Sequence, residues 1–374
     1  MSTGPFDYKS AGVNVVAGDD ASQILFEAAK RTWINRSGRV GEIQTLATHF
    51  RTFRFFQVPV AQPNLCFGLN FDGIGTKIEL AERLGTYTGL ASDLFAMTCD
   101  DASVAGGEPL HVGSILDMAK VDLDVVRDIA EGMVQAAEAA QVAVINGELA
   151  ELPGRVAGHG AAPFNWGGAC LWAARPERLA YTARPVKGDV LIGIAERGFR
   201  SNGYSLLRAI LRRAYGPEWG TASTGADIEL VRFASQPSII YTPFILSLTG
   251  GLSGSRVDGL KGFVHVTGGG QTGRVLFYCR TNRVGASVTP TLQPPPEMCD
   301  LREIGGVEVV EAYKTWNMGI GLIVVSTADA ADQILQAARQ AGLNAARIGA
   351  ITDSDRVDIT FYDGTSRTYP LDGE

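Results

Sequence analysis

Hydrophobic residues follow a helical period in several stretches of the chain. In the clearest stretch Val125, Ile129, Met133 and Ala136 fall on one stripe, with acidic and amide residues on the opposite side. Asp122, just before them, is of the residue type that caps a helix amino terminus. The pattern predicts a helix directly after Asp122. Similar patterns predict helices over residues 21–33, 79–84, 89–105, 203–215, 237–249 and 328–341, the last ended by Gly342.

Other stretches are short and continuously apolar, as strands buried on both faces are. VAVIN at 142–146, VLIGIA at 190–195 and GIGLIVV at 319–325 are the clearest. The acidic, glycine-bounded segment GELAELPG at 147–154 predicts a loop after the first of them. Further strands are predicted at 65–73, 111–118, 167–174, 262–267, 284–289 and 345–352.

A polar segment with two prolines, RPERLAYTARPVKGD at 175–189, separates two sets of predicted elements. A chain of 374 residues is long enough for two domains. We therefore predict an α+β protein with one domain over residues 1–175 and another over 176–374.

The composition narrows the classes of protein that fit. Lys and Arg number 33 against 40 Asp and Glu, and this net charge of -7 argues against a nucleic-acid backbone as the main partner. No apolar run approaches the roughly 18 residues of a membrane span, so no membrane partner is expected. The amino terminus lacks a signal-peptide pattern and the five cysteines are scattered, which predicts a cytoplasmic protein with reduced thiols. The 45 glycines exceed the average share of about 7% and cluster near the candidate sites.

Acidic residues interleaved with glycine form the first candidate site. Asp72, Asp93, Asp100 and Glu148 are the candidates, and Asp93 and Asp100 are seven residues apart, which aligns them on one helix face. Carboxylates of this kind suit Mg²⁺, which shares oxygen ligands with substrate phosphates, and Lys77 would lie beside those phosphates. The competing interpretation is that these residues are solvated helix faces and turn aspartates.

Two glycine-containing loops in the second half form candidate anion sites. Ser201 and Asn202 precede a predicted helix, whose first-turn N–H groups suit an anion. Thr267 leads into three consecutive glycines, where a backbone can approach a phosphate closely. His265, just before them, is the best candidate for a general base. Ordinary turns and a structural histidine are the alternatives, and no Walker loop, dinucleotide fingerprint or Ser-His-Asp order is present.

Eight ordered blocks resemble the aminoimidazole ribonucleotide synthetase family, also called phosphoribosylformylglycinamidine cyclo-ligase. They are YKSAGVNV at 8–15, DGIGTK at 72–77, DLFAM at 93–97, GGEPL at 106–110, NGELAELPG at 146–154, SNGYSLLR at 201–208, HVTGGG at 265–270 and YKTWNMGIG at 313–321. The resemblance implies a homodimer with two αβ domains per chain. The amino-terminal sheets would pair into a barrel near which ATP binds, and the carboxy-terminal domain would be of the α/β/α type.

The resemblance also implies the reaction. ATP phosphorylates an amide oxygen of a small ribonucleotide, and an amidine nitrogen then closes an imidazole ring. By position, ATP and Mg²⁺ would be served by Lys9, Asp72, Gly73, Gly75, Thr76, Lys77, Asp93 and Glu148, with Asp72, Asp93, Asp100 and Glu148 as metal ligands. The substrate would be held by Ser201, Asn202, Gly203, Thr267, Gly268, Gly269, Gly270, Thr315, Asn317 and Gly319, with His265, Asp72 and Asp100 as catalytic residues.

The chain departs from the family pattern at several of these positions. Arg200 stands where the family has a histidine, Asp100 and Asp101 stand where it has an Asn-Asp pair, and Ile239 replaces an arginine. Asn146 and Leu149 replace a glycine and a threonine, the early glycine loop is reduced to SGRVGE at 37–42, and QTGRVLF follows the three glycines. Three hypotheses remain: the cyclo-ligase itself, a paralogue that uses the same chemistry on another small molecule, and a degenerate nucleotide-binding protein.

Overall fold

The computed structural model describes residues 15–47, 52–56, 64–179, 183–221, 225–289 and 291–372. The chain divides into two compact units. The first contains the residues up to Cys99 together with Pro109–Ala173, and the second contains Asp100–Glu108 and the residues from Ala174 onward. The sequence-based division left residues 100–108 in the first half, whereas the structure clusters them with the second unit. Within the described residues, no helix has the length and apolar character needed to cross a membrane.

Within the residues that the structure describes, the first unit combines a four-stranded sheet, a two-stranded hairpin and four α-helices. The sheet has the strand order β3-β6-β4-β5, and β1 pairs antiparallel with β2 in the hairpin. The strands are β1 (Ile43–Ala47), β2 (Thr52–Phe56), β3 (Cys66–Gly73), β4 (Glu108–Met118), β5 (Ala143–Glu151) and β6 (Phe164–Ala174), and the helices are α1 (Val15–Thr32), α2 (Ile78–Leu84), α3 (Leu90–Val104) and α4 (Leu123–Ala140).

Helix α4 forms as its sequence pattern predicts. The Asp122 side chain accepts hydrogen bonds from the backbone N–H groups of Asp124 and Val125, at 3.0 and 3.4 Å, and so caps the helix. The predicted stripe of apolar residues on α4 is buried. The cap fixes where the helix begins, and the stripe fixes which face lies against the rest of the unit.

Strand β5 is longer than the sequence predicts. The prediction of a loop over residues 147–154 is wrong in its first part, because the strand continues to Glu151. Parallel pairing with β4 holds these residues in register, with Ile115 opposite Glu148 and Met118 opposite Glu151. The neighbouring strand satisfies the backbone groups, and this outweighs the turn preference of a glycine-containing acidic segment.

Strand β3 has two different faces. The Asn70 amide donates a hydrogen bond to the carbonyl of Thr98 on α3, at 2.7 Å, so this face lies against a helix. Phe67, Leu69 and Phe71 alternate with it and are 46%, 55% and 73% exposed. We call these three residues the β3 stripe. It is an apolar surface on an edge strand of the sheet.

The second unit is built on a seven-stranded sheet. Its strand order is β13-β12-β9-β11-β7-β10-β8, antiparallel except where β12 runs parallel to β9. The strands are β7 (Val190–Ala195), β8 (Leu260–His265), β9 (Gly285–Val288), β10 (Ile320–Ser326), β11 (Ala345–Thr352), β12 (Arg356–Thr360) and β13 (Ser366–Pro370). The helices are α5 (Tyr204–Tyr215), α6 (Ala226–Ala234), α7 (Thr242–Thr249), α8 (Gly270–Asn282), α9 (Pro296–Gly305), α10 (Val309–Thr315) and α11 (Ala331–Gln340).

The core of the second unit lies where the apolar runs predict it. Every residue of β10 is buried, as are the first five of β7, and the two strands pair as neighbours in the interior of the sheet. Helices α7 and α11 pack their apolar faces against these strands. The helix predicted over 237–249 begins only at Thr242, because Pro243 lies in its first turn, where proline needs no backbone donor.

Candidate active site

Asp72 lies at the end of β3 in the first unit. Its side chain is exposed, and its Oδ1 accepts a hydrogen bond of 2.7 Å from the backbone N–H of Gly73. Gly75 follows with a left-handed φ of 67° and begins a short 3-10 helix over Gly75–Lys77. The turn leaves the Asp72 carboxylate at the surface beside exposed Gly75 and Thr76, an arrangement open to a ligand.

Lys77 and Asp93 form a buried ion pair in the same unit. The Lys77 Nζ lies 2.8 Å from both carboxylate oxygens of Asp93, and the two side chains are 1% and 0% exposed. The sequence predicts Lys77 beside phosphates and Asp93 on a metal ion. Instead, each neutralises the other beneath the surface, so their arrangement supports a structural role.

Glu148 lines a cavity between α1 and the sheet. The cavity has a volume of about 570 Å³ and is also lined by Phe26, Ser114, Asn146 and Trp166. Glu148 is exposed. Small-molecule sites in proteins range from about 300 to 1,000 Å³, so this cavity is large enough for a nucleotide. Asn146, a departure from the family pattern, is therefore a cavity residue.

Two of the predicted metal ligands, Asp72 and Glu148, lie far apart in the sheet of the first unit. Asp72 and Glu148 belong to β3 and β5, the two edge strands, and two strands at a spacing of about 4.8 Å separate those edges, a span of about 14 Å along the sheet. In the described parts of the chain, no group of three or more His, Cys, Asp or Glu side chains is arranged to hold a metal ion. Exposed Asp72 and Glu148 fit a Mg²⁺ that takes its other ligands from phosphates and water, whereas buried Asp93 and Asp100 do not.

The predicted substrate segments of the second unit converge around Trp316, which is fully buried. A Cβ placed on Gly203 would lie 2.3 Å from the indole ring, and one on Gly270 would lie 2.8 Å from the Trp316 carbonyl oxygen. A Cβ on Gly268 would lie 3.6 Å from the Asn202 side chain. The structure thus brings together the amino termini of α5 and α8, whose loops are more than sixty residues apart in sequence.

Asn317 and Gly319 hold the next segment in place. The Asn317 amide donates to the carbonyl of Gly198 at 2.8 Å, and its Oδ1 accepts from the N–H of Gly319 at 2.8 Å. Thr315 ends α10 and donates to Glu311 within that helix. Asn317 is therefore engaged with backbone groups, and it fixes the loop that carries Arg200 and Ser201.

Arg200 lies at the centre of a buried charged cluster in the second unit. Its Nη1 is 2.8 Å from the Glu196 carboxylate and its Nη2 is 3.0 Å from that of Asp100, and all three side chains are 0% exposed. Nη1 also donates to the carbonyl of Ile239 at 3.0 Å. Thr242 donates to Asp100 at 2.9 Å. The guanidinium lies between two carboxylates and hydrogen-bonds to each, and buried charges require partners of this kind.

Burial and charge act in opposite directions on these groups. Burial raises the pKa of Asp100, and Arg200 offsets this effect only in part. For Arg200, burial acts to lower the pKa, but the carboxylates of Glu196 and Asp100 outweigh it and raise the pKa. Arg200 therefore stays positively charged, and its charge stabilises the buried carboxylates of Glu196 and Asp100. Asp100, predicted to be a metal ligand and catalytic residue, is instead its ion-pair partner.

His265 connects this cluster to an exposed carboxylate. Its Nε2 lies 2.8 Å from the Arg200 Nη2, and its Nδ1 lies 2.6 Å from Oδ1 of Asp101. The His265 side chain is 4% exposed and that of Asp101 is 46% exposed. Burial acts to raise the pKa of Asp101, but the hydrogen bond from His265 and the nearby positive charges together outweigh it, and the pKa is lowered. The geometry does not support His265 as a general base, because both ring nitrogens are engaged.

Three of the departures from the family pattern belong to this one cluster. Arg200 contacts both Asp100 and the backbone of Ile239. The sequence marks each position separately, but nothing in a linear pattern joins residues 100, 200 and 239. Glu196 and Asp101 complete the cluster, and sequence reasoning missed the role of both. The sequence offers one signal for each: Glu196 directly follows the buried strand β7, and Asp101 lies within a mostly apolar helix.

Lys9, the remaining predicted ATP residue, lies outside the described residues.

Comparisons with known proteins cover most of the chain. Residues 58–164 match the model for the amino-terminal domain of AIR synthase related protein, and residues 186–361 match that for its carboxy-terminal domain. A phosphoribosylformylglycinamidine cyclo-ligase of Chromobacterium violaceum is 31% identical over 354 residues, which cover 94% of this chain and 97% of that protein.

Solved structures share the fold at lower identity. A thiamine-monophosphate kinase from Stenotrophomonas maltophilia has a TM-score of 0.66 and 15% identity, covering 92% of this chain and 97% of its own. The hydrogenase maturation protein HypE in complex with ATP has a TM-score of 0.56 and 15% identity, covering 86% and 88%. The two family models together span most of the chain, and the cyclo-ligase relative is aligned over nearly its full length. The chain therefore belongs to the family of AIR synthase related enzymes, with the two-domain α+β fold of that family.

Proposed function

We propose that this enzyme closes the imidazole ring of aminoimidazole ribonucleotide, using formylglycinamidine ribonucleotide as its substrate and ATP with Mg²⁺ as its cofactors. The observation that carries the proposal is the convergence of the Ser201–Gly203, Thr267–Gly270 and Thr315–Gly319 segments in the second unit. These segments stand far apart in sequence and lie close together in the fold. A relative named for this reaction is similar over nearly its whole length.

The second unit would hold the ribonucleotide. Helices α5 and α8 are each preceded by a glycine with a left-handed backbone, Gly203 with a φ of 78° and Gly269 with a φ of 92°. The amino terminus of a helix favours an anion, and a glycine there lets a phosphate approach the backbone. Asn202 lies beside Gly268, so one phosphate or amide could contact both loops.

The first unit would hold the nucleotide. ATP bound with Mg²⁺ supplies the phosphoryl group that converts the amide oxygen of the substrate into a leaving group. The cavity beside Glu148 is large enough for the nucleotide, and the exposed carboxylates of Asp72 and Glu148 are the oxygen ligands that Mg²⁺ prefers. Lys77 would act indirectly, since its charge is paired with Asp93.

A second copy of this chain would complete the site. Asp72 and Glu148 lie on opposite edges of the sheet and cannot share one ion within a chain. The β3 stripe exposes three large apolar side chains along one edge, an arrangement typical of a surface that is covered by a partner. Both observations support a homodimer, in which the paired sheets would form the barrel that the family resemblance implies.

The cysteines support the expected cellular location. All five are free thiols, and three of them are buried. A chain without disulfides fits a reducing compartment, and we propose that the enzyme acts in the cytoplasm.

The direct test is an assay of the purified protein with formylglycinamidine ribonucleotide, ATP and Mg²⁺. We expect ADP, phosphate and aminoimidazole ribonucleotide in equal amounts. Asp72→Asn and Glu148→Gln should each lower turnover by about 100-fold, because each removes a charge that holds the metal and triphosphate. Asp332→Asn, which removes an exposed carboxylate paired with Arg347, is the matched control and should leave turnover unchanged.

Two outcomes would overturn the proposal. Release of ADP only with a different metabolite would identify a paralogue with altered substrate. No ADP release with any substrate, in wild type and variants alike, would identify a nucleotide-binding protein without turnover.

A further inference from the structure

Arg200 and Asp101 together determine which nitrogen of His265 carries a proton. A guanidinium has only donors, so at 2.8 Å the Nη2–H of Arg200 must donate to the Nε2 lone pair of His265. The ring proton is then on Nδ1, where it is donated to Oδ1 of Asp101 at 2.6 Å. The hydrogen bonds run in one direction, from Arg200 through the imidazole to Asp101.

The guanidinium of Arg200, which donates to His265, is itself held by contacts on several sides. Glu196 and Asp100 take two of its nitrogens, Ile239 adds a carbonyl, and its carbon lies 5.0 Å from the ring centroid of Tyr241. The Tyr241 hydroxyl donates to the carbonyl of Ala195 at 2.9 Å and so is fixed in turn.

The backbone of Arg200 supports the same arrangement. Its φ of 59° is left-handed, a conformation that costs an ordinary residue about 1–2 kcal/mol. Phe199 and Tyr204 on either side are buried, at 1% and 2% exposure. The surrounding core therefore holds a strained residue so that its side chain points inward to His265.

Asp101 is where this chain of hydrogen bonds reaches solvent. Among Asp100, Asp101, Glu196, Arg200 and His265, the side chain of Asp101 alone is substantially exposed, at 46%. A substrate on the surface of the second unit would meet this carboxylate and not the imidazole. The orientation of the carboxylate would be set by His265, and that of His265 by Arg200.

We propose that Arg200 is a positioning residue, which donates to Nε2 of His265 and so fixes the imidazole, whose Nδ1–H then presents the Asp101 carboxylate as the acceptor that meets the substrate. This assignment rests on the proposed function for the identity of that substrate. The expected tautomer of His265 does not depend on the proposed function, and it can be measured without any ligand.

The test is nitrogen NMR of the full chain labelled with ¹⁵N-histidine, with the His265 signals assigned from their loss in His265→Gln. We expect a protonated Nδ1 and an unprotonated Nε2 in the wild type. Arg200→Lys keeps a donor and should keep this tautomer. Arg200→Met removes the donor to Nε2, so the Nε2 signal should move as that nitrogen loses its hydrogen bond, while the Asp101 carboxylate still holds the proton on Nδ1. The value of kcat should fall about 100-fold, because the ring that orients the carboxylate is no longer fixed.

Two controls keep the result interpretable. Arg200→Met leaves two buried carboxylates without a cation, so the triple variant Arg200→Met, Asp100→Asn, Glu196→Gln provides a neutral cluster that folds without that penalty. Arg36→Met removes an equally buried arginine from the first unit and should leave the His265 signals unchanged.

A wild-type His265 with its proton on Nε2 would overturn the inference, as would an unchanged Nε2 signal in both the single and the triple variant. Failure of the proposed function gives a different result: the tautomer is as expected and no aminoimidazole ribonucleotide is formed.

Discussion

At the scale of single residues, the molecule places several charges where water cannot reach them. Lys77 with Asp93, and Arg200 with Asp100 and Glu196, are ion pairs of fully or almost fully buried side chains. Desolvation opposes such pairs, and their attraction compensates only while both partners are present. Removing one partner of such a pair should therefore lower the free energy of unfolding.

Lys77→Met should therefore be strongly destabilising. The variant leaves the Asp93 carboxylate buried without its cation, and we expect the free energy of unfolding to fall by about 3–5 kcal/mol in urea denaturation. The double variant Lys77→Met, Asp93→Leu should recover most of the loss. Lys187→Met removes an exposed lysine paired with Asp353 and should change stability by less than about 1 kcal/mol. A fall in Lys77→Met no larger than in this control would contradict the interpretation.

The buried residue His111 should make the stability of the protein depend on pH. Burial lowers its pKa from 6.5 to about 4, and the nearby charge of Arg36 acts in the same direction, against a hydrogen bond to Gly41 that raises it. The unfolded chain therefore binds more protons than the native one between these values, so stability falls as the pH drops from about 6.5 through 4. The full loss is about 3 kcal/mol.

The measurement is the unfolding free energy of wild type and of His111→Gln at several pH values between 4 and 7. The wild type should lose stability relative to the variant as the pH falls. Parallel curves for the two proteins would show that His111 does not titrate in this way.

At the scale of elements, close approaches between loops and helix ends hold the second unit's candidate site together. Gly270 begins α8 with a φ of 60°, and a Cβ there would lie 2.5 Å from the carbonyl oxygen of Tyr313 and 2.6 Å from the carbonyl carbon of Lys314. These are backbone atoms, which cannot rotate aside as a side chain does. The amino terminus of α8 fits against the end of α10 only while this position is a glycine.

Gly270→Ala should therefore destabilise the protein and Gly273→Ala should not. The left-handed backbone alone costs alanine about 1–2 kcal/mol, and the clash with the 313–316 segment adds to it. Gly273, one turn later in the same helix, has nothing within 4 Å of its Cβ position. Its replacement by alanine should gain up to about 1 kcal/mol from helix propensity. Urea denaturation of both variants checks the pair, and equal effects would contradict the packing argument.

The sequence predicts the helices and strands better than it predicts the contacts between them. The cap at Asp122 and the buried strand Val190–Ala195 depend on local patterns, and both form as expected. The extension of β5 to Glu151 depends on pairing with β4, which no local pattern encodes. The ion pair of Asp100 and Arg200 joins residues one hundred positions apart, so the sequence shows two unusual residues and only the fold shows that they are partners.

At the scale of the whole molecule, the resemblance of ordered motifs predicts the family, and the family fixes the fold. The motifs do not determine which carboxylates bind a metal. Exposure separates Asp72 and Glu148 from Asp93 and Asp100, although all four look alike in sequence. The position of the two exposed residues on opposite sheet edges then makes a second chain part of the proposed mechanism.

The β3 stripe provides the test of that assembly. Phe71→Glu places a charge on the most exposed residue of the stripe, and we expect a dimer to become a monomer in sedimentation velocity experiments, with loss of ATP turnover. Phe277→Glu alters an equally apolar residue, 66% exposed on α8 of the second unit, and should leave the oligomeric state unchanged. A monomeric wild type, or a Phe71→Glu variant that stays dimeric, would contradict the proposed interface.

The strand order of the second unit also has a consequence for synthesis. Strand β7 is made before both of its neighbours, since β10 begins about 125 residues later and β11 later still. The ribosome adds roughly 5–20 residues per second, so the apolar residues of β7 stay unpaired for about 6–25 seconds before a neighbouring strand is synthesised. During that interval Ile192 and Ile194 are open to chaperones and to other nascent chains. A truncation before β10 should therefore aggregate, whichever substrate the finished enzyme uses.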